Sequence, residues 1–258
     1  MPALHSTIGV SLVAFYGNKP PELIDLIQIL QEYLANHNLI QNKFIPYQLE
    51  QVHGTIIGCE GLFTTSGIIS KWFYERRQEI RSIDFVSLVD YLQRQIDFPL
   101  TIRFGGYNRS YDYNFLSRTQ HPYVRSGQLQ STDSQTIPVL IGWSWDNGIS
   151  LAIDSLRRNM QQFNLLHKYH ATSDAVDNDF YLRLGTINGK LTAAQIDAIA
   201  TDIRNLLEAR SALYVSIKQE NIAFAQYQDL LLTPETTEVI SIAEATASKL
   251  KQIYFEAY

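Results

Sequence analysis

The sequence predicts an α+β fold of two pseudo-symmetric lobes, each a mostly antiparallel sheet backed by helices, with a groove between them. Three observations predict it. Two strand-like stretches repeat: Val52-His53-Gly54-Thr55-Ile56-Ile57-Gly58 and Arg183-Leu184-Gly185-Thr186-Ile187-Asn188-Gly189. The expected order is strand, helix, motif strand, helix, strand, strand, then helix, motif strand, helix, strand, strand, so the halves repeat. No linker rich in Pro, Gly or Ser separates the halves, so residues 1–258 read as one two-lobed domain sharing a core. The repeat-bearing halves run from about 6 to 145 and from about 146 to 242.

The elements follow from side-chain periodicity. Residues 6–16 are apolar and β-branched, the composition of a buried strand, and Gly17-Asn18-Lys19-Pro20-Pro21 breaks it. Leu23, Ile24, Leu26, Ile27, Leu30 and Leu34 recur at helical spacing. Residues 51–59 form the first motif strand, and 68–81 are helical or irregular. Phe85, Leu88, Val89, Leu92 and Ile96 mark a second helix ending near Pro99. Residues 100–104 and 137–143 read as strands. Between them, 105–135 is a long segment of Tyr, Arg, Asn and Ser; loops of this length are usually functional or mobile. A helix is predicted over 149–169, the second motif strand over 180–187, and a helix starting at Thr192 and running to about Arg210. Residues 212–227 read as one long or bent strand, 239–242 as another, and 244–255 as a short helix.

Composition narrows the function. With 45% apolar and 18% charged residues over 258 positions, the chain is an ordinary globular one. No stretch approaches the ~20 apolar residues of a membrane span, and the first residues lack a basic region followed by an apolar run. No membrane partner and no secretory leader are expected. The single cysteine, Cys59, rules out an internal disulfide framework and fits a cytoplasmic setting, where it serves as a small buried apolar residue. A net charge of −5 is not the field of a nonspecific nucleic-acid binder. A long duplex is disfavoured, while a small nucleotide or an RNA end held by local arginines remains open. Phosphate-cradling Gly-rich, His-Glu-x-x-His, Cys-x-x-Cys and Gly-x-Ser-x-Gly patterns are missing, so neither a metal nor an organic cofactor is expected. The oligomeric state is open.

Alternate residues of a strand share a face, so His53 and Thr55 point one way and Val52, Gly54 and Ile56 the other; Leu184 and Thr186 likewise share a face. If the polar faces line one groove, two hydroxyls and an imidazole converge on a group of phosphate size. An imidazole with a pKa near ~6.5 can take or give a proton at neutral pH. His53 has a competing reading as a buried histidine satisfied by backbone.

This pattern resembles the two-histidine (2H) phosphoesterase superfamily, which includes RNA 2',5'-ligase-like proteins and cyclic nucleotide phosphodiesterases. The resemblance covers nearly the whole chain. Phe98-Pro99-Leu100-Thr101-Ile102-Arg103-Phe104-Gly105-Gly106-Tyr107 is similar to the family's strand and glycine turn, with 213–217 and 239–242 in the equivalent place of the second lobe. It implies a hydrolase in which one histidine is the base and the other protonates the leaving oxygen, while Thr or Ser hydroxyls hold phosphate oxygens. On that pattern His53, Thr55 and Thr186 are the catalytic set.

The chain departs from the family at Leu184, where a second histidine is expected. Losing one acid/base group costs roughly 10²–10⁴-fold in rate. The protein is then either a phosphodiesterase on a cyclic or 2',5'-linked phosphodiester or a pseudoenzyme that binds without turnover. Candidate replacements are His5, in His5-Ser6-Thr7, and His121, in the long polar segment. Arg103, Tyr107 and Arg125 are candidate substrate ligands: guanidinium suits a pair of phosphate oxygens, and aromatics with arginines stack on bases. The bland alternatives are an edge arginine in water and a polar, partly ordered insertion.

Overall fold

The structure is a computed structural model, and it describes residues 5–6, 9–65, 67–96, 98–132 and 134–254. Its strands are β1 (His5–Ser6), β2 (Gly9–Ala14), β3 (Phe44–Pro46), β4 (Gly54–Gly58), β5 (Gly61–Thr64), β6 (Gly67–Ser70), β7 (Leu100–Phe104), β8 (Gly127–Ser131), β9 (Gln135–Ser144), β10 (Phe180–Arg183), β11 (Gly185–Asn188), β12 (Leu213–Ile217), β13 (Ile222–Tyr227) and β14 (Thr237–Ser241). Its α-helices are α1 (Pro21–Ala35), α2 (Lys71–Arg77), α3 (Phe85–Arg94), α4 (Pro122–Arg125), α5 (Ala152–Asn159), α6 (Ala193–Glu208) and α7 (Ala247–Gln252).

The fold is α+β. One large antiparallel sheet runs in the order β12-β7-β9-β10-β4-β2-β13-β14, with β8 and β11 on β9 and β3 on β11. A small second sheet is ordered β1-β5-β6. The two central strands of the large sheet are β4 and β10, the strands that carry His53's motif and the approach to Leu184.

Helices form where the sequence gives them a stripe and a start. In α1, Leu23, Leu26, Ile27, Leu30 and Leu34 are buried, and Pro at the first helical position presets the backbone. Thr192 opens α6 with a capping box to Gln195, and Ile199, Ala200, Ile203 and Leu207 face inward. These helices share one apolar cluster with Leu12, Ala14, Val52, Ile56, Leu182 and Leu184. That cluster fixes which face of the central strands is core and leaves Ser11, His53, Thr55, Tyr181 and Arg183 to line a cavity.

Several expected elements resolve differently. Residues 68–81 begin as β6, the second strand of a hairpin, before α2. The helix expected over 149–169 is α5 plus a 3-10 turn to Phe163, ended by Asn164 in the left-handed region. Residues 212–227 are two strands, β12 and β13, placed on opposite sides of the central β10–β4 pair. The second motif strand breaks at Leu184: β10 pairs with β4, and β11 turns away to β3. The segment 105–135 contains α4 and β8, and its Tyr107, Tyr113, Phe115 and Tyr123 pack with Trp143 in a second apolar cluster. The short helix near the end is α7; Phe255, its expected last residue, lies outside the described residues.

The two sides of the β4–β10 seam do not correspond to the two halves of the chain. Strand β7 of the first half pairs with β9, and β13 of the second half pairs with β2.

Candidate functional site

The register at the seam builds the site. Leu182 pairs with Gly54 across β10 and β4. Residues directly opposite in an antiparallel pair share a face. His53 therefore stands across from Arg183, and Thr55 across from Tyr181. All four line one cavity of about 140 Å³. Gly54 permits this close pairing: a Cβ there would meet the Phe180 ring at 2.1 Å.

A twofold axis normal to the sheet through the Gly54–Leu182 pair carries His53 onto Tyr181 and Thr55 onto Arg183. The spatial counterpart of His-x-Thr is thus Tyr181-Leu182-Arg183, immediately before the stretch that matches it by letter. Thr186 is corrected accordingly. It has the same strand parity as Leu182 and Leu184, which are fully buried in the core; it is buried too and donates to the Tyr47 hydroxyl (3.3 Å), outside the cavity.

His53 presents an uncommitted ring nitrogen. Its Nδ1 lies 2.5 Å from the Gln51 carbonyl, which only accepts, so Nδ1 carries the hydrogen and Nε2 holds a lone pair. Burial first, and the Arg183 and Lys19 charges after it, depress its pKa to about 4 against the pull of that hydrogen bond. The ring is neutral at pH 7. Beside it, the Thr55 hydroxyl has no protein partner among the described residues. Tyr181 donates to Gln130 Oε1 (2.6 Å); burial raises its pKa, while the Arg183 charge opposes the shift. Arg183 spends one nitrogen on the Leu230 carbonyl (2.8 Å).

Beneath these groups lies a buried polar frame centred on Arg157 of α5. The β2–β4 register slips between Leu12 and Val13, leaving Ile56 as an extra residue on β4. Bulges of this kind recur beside functional sites. Arg157 enters there: Nε donates to the Ile56 carbonyl (2.6 Å) and Nη2 to the Thr55 carbonyl (3.0 Å). The same guanidinium reaches the carbonyls of Asp177 (2.8 Å) and Asp179 (2.9 Å). It therefore ties β4 to the chain approaching β10.

Acids and histidines complete the frame. Asp177 also accepts from His167 Nε2 (3.0 Å), and Asp154 accepts from His170 Nε2 (2.8 Å) and Arg158 Nε (2.6 Å). Burial alone would raise both carboxyls. Arg157 and His167 instead hold Asp177 well below the carboxylate range, and His170 and Arg158 bring Asp154 to about 2. His167, which lines the cavity, is pushed to about 3 by burial and the Arg157 charge. Its buried Nδ1 has no partner among the described residues.

The remaining sequence candidates lie elsewhere. Arg103 donates to the Gly105 (3.3 Å) and Gly106 (2.7 Å) carbonyls and stacks on Tyr107 and Trp145, closing the glycine turn from within. Tyr107 is buried and donates to the Arg103 carbonyl (2.9 Å). Arg125 is buried in an ion pair with Asp179, which also accepts from Trp143 Nε1 (3.0 Å). Arg103, Tyr107 and Arg125 thus bond within the fold, and none of them lines the cavity. His121 uses Nδ1 to accept from Tyr123 N (3.1 Å) and Nε2 to donate to the Tyr111 carbonyl (2.8 Å), shaping its own loop. His5 belongs to β1, but its side chain lies outside the described residues.

Sequence reasoning does not single out Tyr181, Arg183 or Arg157 as site residues; it places Arg118 in the long polar segment and His167 near a helix end without bringing either to this cavity. A signal existed for two classes of them. Tyr181 and Arg183 alternate with Phe180, Leu182 and Leu184 as His53 and Thr55 alternate with Val52, Gly54 and Ile56. Arg157 sits at helical spacing with Ile153, Leu156 and Met160, a cation on an apolar stripe.

Among the described residues no cluster of His, Cys, Asp and Glu is arranged to hold a metal ion. Nor is any helix among them long and apolar enough to cross a membrane. In comparisons with known proteins, no family model matches the chain. No curated protein matches it either.

Proposed function

We propose that the cavity over the β4–β10 seam binds a cyclic or 2',5'-linked phosphodiester of a nucleotide or RNA end and hydrolyses it slowly, in a cytoplasmic setting. One observation carries this reading: the lone pair of His53, the free hydroxyl of Thr55 and the guanidinium of Arg183 share one cavity. His53 Nε2 takes the proton of an attacking water as its oxygen bonds to phosphorus. Thr55 and Arg183 hold the nonbridging oxygens, with guanidinium as the stronger ligand. The bond to the leaving oxygen breaks, and that oxygen takes the Tyr181 phenolic proton, which the His53 proton later replaces through water. A phenol whose pKa is raised gives up its proton reluctantly, so turnover is slow.

The test is product formation from a panel of 2',3'-cyclic nucleotides and short 2',5'-linked oligonucleotides. The expected result is measurable multiple turnover, lost in His53→Ala. Unchanged turnover in that variant eliminates the mechanism.

A second reading, binding without turnover, is favoured by the imidazoles. His167, the other histidine lining the cavity, has Nε2 committed to Asp177 and Nδ1 buried. Calorimetric binding of the same ligands with no product after long incubation selects this reading.

A further inference from the structure

The cavity holds more positive charge than one phosphoryl group needs. Arg157 also lines it, but its guanidinium is consumed by four carbonyls and Asp177. The other cations are differently placed. Arg183 faces His53 across the seam. Arg118 and Lys168 gather around Tyr169, with the Arg118 guanidinium carbon 3.9 Å and Lys168 Nζ 4.8 Å from the ring centroid. Neither has a hydrogen-bond or carboxylate partner for its side chain among the described residues. Arg118 is held by its backbone, which adopts a left-handed φ of 48° while its N–H donates to the Val176 carbonyl (3.2 Å).

Tyr181 relates the two groups of cations: it lines the same cavity as Arg183, Arg118 and Lys168, and the charges of both arginines act on its hydroxyl. The acids of the cavity do not neutralise the second group: Asp177 is matched by Arg157 and His167, and Asp179 by Arg125. Glu60 accepts from Trp72 Nε1 (2.8 Å). Uncommitted cations in a partly enclosed site are an attraction for anions.

We infer that Arg118 and Lys168 form a second phosphate subsite, so that the ligand is a nucleotide carrying two separated phosphoryl groups, one at His53, Thr55 and Arg183 and the other beside Tyr169. This rests on the reading above for the first phosphate and narrows its ligand class: a 2',3'-cyclic nucleotide with a bare 5'-hydroxyl fills half of the site. The 5'-phosphorylated form, or an oligonucleotide with a neighbouring phosphodiester, fills all of it.

The experiment compares adenosine 2',3'-cyclic phosphate with its 5'-phosphorylated form by calorimetry. The wild-type protein is expected to bind the 5'-phosphorylated compound about tenfold or more tightly, one charge-assisted contact's worth. Arg118→Gln and Lys168→Gln should each erase most of that gain and leave affinity for the 5'-hydroxyl compound unchanged. Lys168 is exposed, so its variant keeps the test readable if Arg118→Gln fails to fold. Equal affinity for the two compounds overturns the subsite and leaves the first phosphate site standing. A gain that survives both substitutions overturns the assignment to these residues. Binding of neither compound overturns the first site and the second together.

Discussion

Arg157 and Arg118 line the same cavity and have opposite lives. Arg157 is buried, and every nitrogen is bonded to backbone of β4 or of the chain approaching β10. Arg118 is partly exposed, and among the described residues its guanidinium stacks on the Tyr169 ring with no hydrogen-bond partner. The same contrast divides the histidines: His167 is fixed by Asp177, while His53 keeps Nε2 free. The comparison teaches that residue type near a pocket says little about function. What separates frame from working surface is whether the polar atoms are already spent.

The largest expected effect tests the frame. Arg157→Ala orphans four carbonyls and leaves Asp177 without its main counter-charge. Breaking a buried pair costs roughly 3–5 kcal/mol. At this chain size that lowers Tm by about 10 °C. A thermal melt within about 2 °C of wild type would show that Arg157 belongs with Arg118 after all.

On the working side, His53→Gln should reduce turnover by about 10²-fold or more with Tm little changed, since the ring's one bond is to the Gln51 carbonyl. A large fall in Tm with activity retained would move His53 into the frame. Tyr181→Phe should slow turnover by about tenfold or more while leaving KM nearly constant, because the hydroxyl donates to Gln130 and the ring's place on β10 is kept. An unchanged rate would remove Tyr181 as proton donor.

The pH dependence separates the two histidines. Both have folded pKa values below the unfolded value near ~6.5. The unfolded chain therefore binds more protons as pH falls, and stability is lost progressively from about 6.5 toward about 4. His167→Gln should flatten that decline in Tm. The acid limb of kcat/KM should lie near 4, the value at His53, and a limb near ~6.5 would mean the base is another group. Smallest of all, Thr55→Val should weaken phosphate binding by a few-fold, one neutral hydrogen bond's worth, as read by calorimetry.

Much of this was legible in the chain. The stripes of α1, α3 and α6, the cap at Thr192 and the strands around 100–104 and 137–143 follow from local periodicity, and His53 and Thr55 share a cavity as their alternation requires. The failures are non-local. Matching letters aligned Leu184-Gly185-Thr186 with the first motif, but pairing is set by which residues bury opposite each other, and Phe180 over Gly54 decides it. Nothing local announces that residues 212–227 fold back at Gln219–Asn221, or that loop residues 167–169 and 118 meet the central strands.

The exchange of strands across the seam has a consequence for how the chain acquires its shape during synthesis. Strand β2 emerges early, yet the neighbour on its outer side, β13, is made more than two hundred positions later. Until then the row of N–H and C=O groups on that side of β2 is open to any extended peptide nearby. A ribosome stalled between Leu213 and Ile222 would therefore carry an unfinished sheet with a sticky rim, a client for the holdases that attend nascent polypeptides.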